Sequence, residues 1–325
     1  MATSWSSSPR AREAAAQLVP VATGHEPRVS IGLPVYNGER YLSEALDALL
    51  AQTFKDFELI VCDNASSDHT SDIARQYAAQ DDRIRYVRHE VNVGAARNYN
   101  RAFRLSRGEY FKWAAADDRV APTTLARCVE VLDRDPSVVV AYPRTTLIDE
   151  WGRMIRSYED GLHLPFPSAS VRFRQLLERL GLCNALYGVL RTTALRRTAL
   201  LGVYPGSDIV LQAELSLYGT FWEVPEPLFF RRMHLGASSA MSEAERAVFY
   251  DPRPGHRVML REWRHVWELG RAVVRAPLGV REKGRLGVYL LRRVVWLRDR
   301  LIGEVAGAAR QLVHVPGARR GSTRA

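Results

Sequence analysis

Apolar runs and amphipathic segments alternate through the first third of this chain, and that alternation constrains the fold more than any other feature. Between the first two runs, the segment ERYLSEALDALLAQTF places its apolar residues at helical spacing. Strands that alternate with helices over short connections predict an α/β fold with a mostly parallel sheet and helices on both faces. The runs typical of buried strands are RVSIGLPVYN, FELIVC, IRYVRH and GEYFKW.

Acidic or amide residues stand at the ends of three of these runs. Asn37 ends the first run, Asp63 follows the second, and Asp117 and Asp118 lie just beyond GEYFKW. The carboxyl ends of parallel strands share one edge of a sheet, and α/β sheets bind ligands there. Paired carboxylates at such an edge suit a divalent cation that holds a phosphate. Each group alone fits a turn or a helix cap equally well, but their placement at one edge favours a ligand site.

The middle of the chain continues the mixed pattern of strands and helices. Residues 123–132 fit a helix, and residues 138–143 fit another buried strand. Asp208 precedes the apolar helical segment IVLQAELSLYG, and FWEVPEPLFFRRMH ends in a strand followed by basic residues. The polar and aromatic segment TTLIDEWGRMIRSYEDGLHLPFPSAS fits either an acceptor-facing loop or an ordinary surface connection.

Positive charge is concentrated at the C-terminal end of the chain. The formal net charge is +10, and residues 250–325 hold 17 Lys and Arg against 6 Asp and Glu. Two helical stretches there, REWRHVWELGRAVV and VYLLRRVVWLRDRLIGEVAGAARQLV, mix tryptophan with arginine, and neither has the roughly 20 apolar residues of a membrane span. We expect them to lie on an anionic membrane surface. Packing on the preceding domain and a homodimer contact are the alternatives.

Cysteine content and the N-terminal sequence indicate the compartment. Cys62, Cys128 and Cys183 are too few and too scattered for a disulfide framework or a zinc cluster. The start of the chain lacks the long apolar segment of a signal peptide or a membrane span. We therefore expect a cytoplasmic protein, held peripherally on the inner face of the membrane by its tail. Its expected parts are a flexible leader (1–27), a folded domain (28–240) and a basic amphipathic helical tail (241–325).

In order and spacing, five segments resemble the inverting family 2 glycosyltransferases, whose nucleotide-sugar-binding domain has the GT-A fold. The resemblance covers roughly residues 28–240. It implies a nucleotide-diphosphate sugar donor, an acceptor hydroxyl, and Mg²⁺ or Mn²⁺ as cofactor. The acceptor we expect is a lipid-linked or cell-envelope glycan, as in polysaccharide biosynthesis. The segments are IGLPVYNGERYLSEAL, AQTFKDFELIVCDNASSDHT, NVGAARN, GEYFKWAAADD and FFRRMH.

The resemblance implies donor-binding roles along the chain. The loop after the first strand flanks the nucleotide, Asp63 accepts a hydrogen bond from the base, and the Asn-x-Gly-x-x-x-Asn segment adds backbone groups and Arg97. Arg231 and Arg232 correspond to the basic segment that meets the diphosphate, and alternation along a strand lets only one of them face the site. The donor-binding residues so implied are Pro34, Tyr36, Asn37, Glu39, Asp63, Asn92, Gly94, Arg97, Ala116, Asp117, Arg231 and Arg232.

The acidic motif departs from the family pattern, because Ala115 stands where its first acid is expected. Asp117 then matches the acid that reaches the metal, with Asp118 and His234 as further candidate ligands. One missing acid is compatible with metal binding, since Mg²⁺ keeps several waters and binds through one or two carboxylates beside the phosphates. The resemblance makes Asp208 the general base that deprotonates the acceptor hydroxyl. The alternative is that Asp208 only caps the following helix.

Two other function classes stay open beside the transferase. The missing acid at Ala115 is compatible with a nucleotide-sugar-binding protein of the same fold that has weak or lost catalysis, whereas an intact Asp208 argues against it. The second class is a polyanion-binding protein that acts through its basic tail. Nucleic acid is not an expected partner, because no aromatic and basic recognition motif lies outside that tail.

Overall fold

The computed structural model describes residues 26–237, 240–253 and 260–313, so the leader predicted over residues 1–27 lies almost wholly outside the described residues. The first strands are β1 (Val29–Val35), β2 (Phe57–Asp63), β3 (Ile84–Arg88) and β4 (Tyr110–Trp113), and the helices between them are α1 (Leu42–Leu50), α2 (Thr70–Gln80) and α3 (Ala95–Arg104). These strands pair in parallel in the order β3-β2-β1-β4. The predicted alternation is therefore confirmed over this half.

The second half of the sheet is mixed rather than parallel. Its strands are β5 (Arg119–Val120), β6 (Val138–Ile148), β7 (Met154–Tyr158), β8 (Val189–Arg191) and β9 (Thr220–Arg232). Its helices are α4 (Thr124–Arg134), α5 (Ala169–Arg179), a 3-10 helix (Asn184–Tyr187), α6 (Thr192–Leu195) and α7 (Ser207–Tyr218). The order continues from β4 as β8-β6-β9-β5, with β7 paired to β6. β8 is antiparallel to both neighbours, whereas β6 and β9 are parallel. The fold class is α/β, as predicted.

Apolar side chains pack on both faces of the sheet and hold the strand ends in place. On one face, the rings of Phe111 and Trp113 meet edge to face with centroids 4.9 Å apart. They share a cluster with Phe173 of α5 and Leu211 of α7. A second cluster contains Leu33 of β1 together with residues of α1 and α4. Both clusters therefore support the loops that follow the strands.

The tail contains α8 (Glu243–Tyr250), α9 (Arg261–Arg275), α10 (Val280–Trp296) and α11 (Arg298–Val313). α9 and α10 bury Leu269, Ala272, Val273 and Leu286 in the cluster that contains Trp113. In its described part, the tail thus packs on the folded domain, which was one of the alternatives, and the boundary at residue 240 stays a prediction. Among the residues that the structure describes, no helix is long and apolar enough to cross a membrane.

Candidate active site

The loops that follow β1 and β2 are bonded to each other through their polar side chains. Asn37 accepts a hydrogen bond from the Ser67 amide at 2.9 Å, and Glu39 accepts one from the His69 amide at 2.9 Å. In return, the Glu39 amide donates to Asp68 at 3.1 Å. The side chains of Asn37 and Glu39 therefore hold the loops after β1 and β2 together.

Pro34 and Tyr36 lie at the same strand end with different exposure. Pro34 is buried within β1, where it faces Cys62 of β2 in the parallel register. Tyr36 is 49% exposed just beyond the strand. Of these two residues, Tyr36 is therefore the one whose side chain is available to a ligand.

Asp63 ends β2 as a fully buried carboxylate with three protein partners. Its Oδ1 accepts from the Ser66 amide at 2.8 Å, and its Oδ2 accepts from the Tyr86 hydroxyl at 2.7 Å and from Arg88 at 2.9 Å. Burial, followed by the hydrogen bond to Asp63, raises the pKa of Tyr86 to about 12. Arg88 is a residue that sequence reasoning missed. A nucleobase N–H that donates to Asp63 would have to share that carboxylate with Arg88.

Asn92 builds the turn before α3. Its Oδ1 accepts from the Asn64 side-chain amide at 2.8 Å and from the Gly94 backbone amide at 2.9 Å. Asn64 in turn accepts from the Val93 amide at 2.9 Å. The predicted Asn-x-Gly segment is thereby tied to the loop after β2.

The end of α8 covers this turn. Gly94 has φ +86° and could not carry a side chain, since a Cβ there would lie 2.4 Å from the Tyr250 carbonyl oxygen. Arg97 donates to the Val93 carbonyl at 2.9 Å and lies 3.5 Å from Asp251. The predicted donor-binding turn is thus in contact with a tail segment that the sequence did not link to it.

The acidic motif lies between β4 and β5, where Ala115 and Ala116 precede the two acids. Asp118 accepts a hydrogen bond from the Arg232 backbone amide at 2.8 Å. Burial and then the adjacent charge of Asp117 raise the pKa of Asp118 well above its ordinary value. Asp118 therefore joins the motif to β9.

Asp117 faces His234, which stands two residues after the end of β9. The Asp117 Oδ2 and His234 Nε2 atoms are 2.9 Å apart. A carboxylate oxygen and an imidazole nitrogen that converge in this way fit one divalent ion whose remaining ligands are phosphate oxygens and water. Within residues 26–237, 240–253 and 260–313, no group of three or more His, Cys, Asp and Glu is arranged around a metal position. The fit therefore rests on this pair.

Arg231 and Arg232 point in different directions from β9. Arg232 is 2% exposed and binds Glu44 of α1, with further bonds to the carbonyls of Asp117 at 2.8 Å and Glu150 at 3.0 Å. Arg231 instead donates to the Asn184 side chain at 2.7 Å. Arg232 thus holds the wall of the site together, and Arg231 faces the segment before the 3-10 helix.

Asp208 lies in the first turn of α7, not at its cap. The cap position is Gly206, whose φ of +83° starts the helix without a side-chain cap bond. Burial, and then the negative charge of Asp208, raises the pKa of the Cys183 thiol well above its ordinary value. Neither Cys183 nor Asn184 was predicted to belong to the site, because a 3-10 helix leaves no periodic signal in the sequence.

Residues 30–201 match the family model described as "Glycosyl transferase family 2". An uncharacterized glycosyltransferase of Rickettsia felis is 35% identical over 157 residues, which is 47% of this chain and 25% of that protein. The putative glycosyltransferase EpsE of Bacillus subtilis is 35% identical over 127 residues, covering 39% of this chain and 46% of that protein. The chondroitin synthase of Escherichia coli is 33% identical over 129 residues, covering 40% and 19%. The chain thus spans less than half the length of these relatives.

A solved structure is similar over most of the chain. The crystal structure of S. aureus TarS 1-349 in complex with UDP covers 82% of this chain and 71% of that chain, with a TM-score of 0.60 and 18% identity. At this identity the likeness concerns the fold. The residues matched by the family model include the loops predicted to bind the donor and the acidic motif, whereas Asp208, Arg231 and His234 lie beyond them.

Proposed function

Since the chain belongs to glycosyl transferase family 2, we propose that it transfers a sugar from a nucleotide-diphosphate donor to an acceptor hydroxyl, with inversion at the anomeric carbon. One observation carries this proposal. Arg231 donates to the Leu182 carbonyl and to the Asn184 side chain, and the 3-10 helix that begins at Asn184 lies against α7, whose first turn holds Asp208. The residue after Arg231 binds Asp118 through its backbone amide. The candidate base Asp208 is thus connected to the acidic motif through the 3-10 helix and β9. A direct displacement requires the base and the acidic motif to act on the same donor sugar.

The chemical step is a single displacement. Asp208 accepts the proton of the acceptor hydroxyl, and the acceptor oxygen bonds to the anomeric carbon from the face opposite the diphosphate. The bond from that carbon to the diphosphate oxygen breaks, and the electron pair leaves with the nucleoside diphosphate. Arg231 would stabilise the charge that grows on the departing diphosphate.

The donor nucleotide would lie over the loops that follow β1 and β2. The exposed ring of Tyr36 would contact the nucleobase of the donor. The Asp63 carboxylate, which pairs with Arg88, would accept a hydrogen bond from the same nucleobase. Arg97 is 34% exposed and provides a cation at the turn before α3. The remaining predicted donor-binding residues would act through the shape and backbone of this surface, namely Pro34, Asn37, Glu39, Asn92, Gly94 and Ala116.

Mg²⁺ or Mn²⁺ would be held by Asp117 and His234, whose donor atoms converge. When bound, the ion would neutralise negative charge on the diphosphate. Asp118 is bonded to the backbone of β9, so it would support the metal position more than it would ligate the ion. Arg232 is bonded to Glu44 and would likewise support the site, unless donor binding releases those bonds.

We place the acceptor among cell-envelope glycans, free or linked to a lipid. The similarity to a protein named chondroitin synthase supports a polysaccharide as the class of acceptor. The tail would hold the protein peripherally on the inner face of the membrane, through the exposed side of α10. A homodimer contact through the same side is the competing use of that surface.

Replacement of Asp208 by Asn tests the proposal. We expect Asp208→Asn to bind the donor as the native protein does and to transfer sugar roughly 10²–10⁴-fold more slowly, because a general base contributes about that much. Donor binding is measured by thermal shift with UDP-, GDP- and dTDP-sugars, with and without Mn²⁺. Transfer is measured as release of nucleoside diphosphate in the presence of cell-envelope glycans.

Asp72→Asn is the matched control, because Asp72 also stands in the first turn of a helix and should leave transfer unchanged. Native activity in Asp208→Asn would place the base elsewhere. A thermal shift with a nucleotide sugar but no transfer by the native protein would favour a binding protein that has lost catalysis. If no nucleotide sugar shifts the melting of the native protein, both functions are excluded.

A further inference from the structure

A cavity of about 660 Å³ lies beside the start of α7 and takes no part in the reaction described above. Its walls come from the loop before α7, the end of α8 and the first half of α9. The rings of Tyr204, Tyr250, Trp263 and Trp267 line it, together with apolar side chains. Its volume falls within the roughly 300–1,000 Å³ of small-molecule sites.

Tyr250 is the wall that this cavity shares with the candidate base. Tyr250 lines the cavity together with Pro205, which precedes the cap residue Gly206 of α7. Burial and then the charge of Asp208 raise the pKa of the Tyr250 hydroxyl. The backbone carbonyl of Tyr250 packs against Gly94 of the donor-side turn. Tyr250 therefore lies between a ligand in the cavity and the donor-side turn, and Pro205 of the same cavity leads into the helix that carries Asp208.

Two of the three charged residues that line the cavity are paired within the protein. Asp251 pairs with Arg253 at 2.6 Å, and Arg264 pairs with Glu268 at 2.8 Å and lies over the Tyr204 ring at 5.3 Å. Charges paired in this way give a polyanion little attraction, while their hydrogen-bonding atoms remain suited to hydroxyl groups.

We propose that the cavity is the acceptor subsite and that it holds an uncharged sugar ring of a glycan, an inference that rests on the proposed function. A pyranose ring presents C–H groups on its faces, which pack on aromatic rings, and hydroxyl groups around its edge, which bind polar side chains. Trp263 and Trp267 are four residues apart on α9 and so share one side of that helix.

The position of the cavity residues in the sequence bears on which step of substrate recognition they serve. Its lining residues run from Val203 to Trp267, beyond the residues 30–201 that match the family model. The donor loops and the acidic motif fall inside that match. The cavity therefore lies outside the residues that the family model describes, and we expect it to set which acceptor this chain uses.

Saccharide binding in solution tests the subsite without any turnover. The probes are cellobiose and chitobiose, titrated against the full chain while saturation-transfer NMR reports which sugar protons touch the protein. We expect at least one disaccharide to bind through its ring C–H protons, and Trp267→Ala to weaken that binding about tenfold. Trp296→Ala is the matched control, because Trp296 is 66% exposed, Trp267 is 64% exposed, and Trp296 does not line the cavity. The control should leave binding unchanged.

Several results would overturn the proposal. These are no saturation of either disaccharide by the native protein or unchanged binding in Trp267→Ala. A third probe, dodecyl maltoside, would overturn it if saturation were confined to its alkyl protons. Loss of binding in Trp151→Ala alone, in the segment that also fits an acceptor-facing loop, would move the acceptor to the turn between β6 and β7. Trp267→Ala should keep the thermal shift with nucleotide sugars. If no nucleotide sugar shifts the native protein, the proposed function fails, and the NMR result still decides whether the cavity binds a sugar.

Discussion

Asp160 is a buried carboxylate that stands behind the wall of the proposed site. Its Oδ2 accepts from the Thr145 hydroxyl at 3.1 Å and from the Asn184 amide at 3.2 Å. Its Oδ1 is buried and has no hydrogen-bond partner among the described residues. Burial raises the pKa of Asp160 from 3.8 to about 6. Because Asn184 also binds Arg231, Asp160 supports the position of Arg231 in the proposed site. At neutral pH, Asp160 is ionised although its burial favours the protonated form.

Replacement of Asp160 by Asn should stabilise the protein in a pH-dependent way. The folded state binds the Asp160 proton more tightly than the unfolded state, so this stabilising contribution is present below pH 3.8 and is lost as the pH rises through about 6. Above that pH, Asp160→Asn removes an ionised buried group. We expect the free energy of unfolding to exceed that of the native protein by about 1–2 kcal/mol there, as measured by urea denaturation across a pH series.

The control for this comparison is Asp299→Asn, because the Asp299 side chain is 87% exposed. Its free energy of unfolding should follow that of the native protein at every pH. If Asp160→Asn gains the same stability at acidic and neutral pH, burial of its charge is not the cause.

At the scale of elements, the way α7 begins determines where Asp208 lies. Gly206 takes φ +83° at the cap, so the chain enters the helix there and Asp208 falls in the first turn. A side chain at this position would be strained by the backbone conformation and would meet His265, whose Nε2 bonds the Pro205 carbonyl at 2.8 Å. Pro205, the residue before this glycine, lines the proposed acceptor cavity. One backbone turn thus positions both the candidate base and part of the cavity wall.

Gly206→Ala should therefore affect stability and transfer together. We expect it to lower the free energy of unfolding by about 1–3 kcal/mol, the cost of a strained backbone conformation, and to lower transfer while the nucleotide-sugar thermal shift persists. Gly270→Ala is the control, because a Cβ at Gly270 meets nothing within 4 Å in α9. That variant should be neutral or stabilising. Native stability in Gly206→Ala would show that the chain tolerates another entry into α7.

Elements differed in how far they could be predicted from the sequence. The apolar patterns of α1 and of β1 to β4 lie within each segment, so the succession of these elements along the chain and their parallel pairing could be inferred. β8 has three residues, and it joins the sheet because Leu190 pairs with Phe111 on one side and Val140 on the other. No local period encodes such distant pairs. For the same reason Cys183 was not predicted beside Asp208, whereas Asp208 itself was inferred from a family pattern.

At the scale of the whole molecule, the tail has two faces with different partners. Leu286 and Tyr289 of α10 are buried against the folded domain. Removal of the tail would strip these residues from the core, so truncation cannot isolate a membrane contact. On the opposite side of α10, exposed apolar residues stand among arginines, namely Val288, Leu291 and Val295 with Arg281, Arg285 and Arg292. This arrangement is typical of helices that lie in the plane of an anionic membrane surface.

Substitutions on this outer face test the membrane proposal without opening the core. We expect the native protein to sediment with vesicles that contain phosphatidylglycerol, less so at high salt, and not with phosphatidylcholine alone. Leu291→Ser combined with Val295→Ser should abolish that binding, because these side chains are 69% and 56% exposed and supply the apolar contact. Met154→Ser with Ile155→Ser, also exposed, should bind as the native protein does. A different result is that the native protein binds neither type of vesicle and that Leu291→Ser with Val295→Ser converts a dimer to a monomer. The outer face of α10 would then be a contact between two copies of the chain.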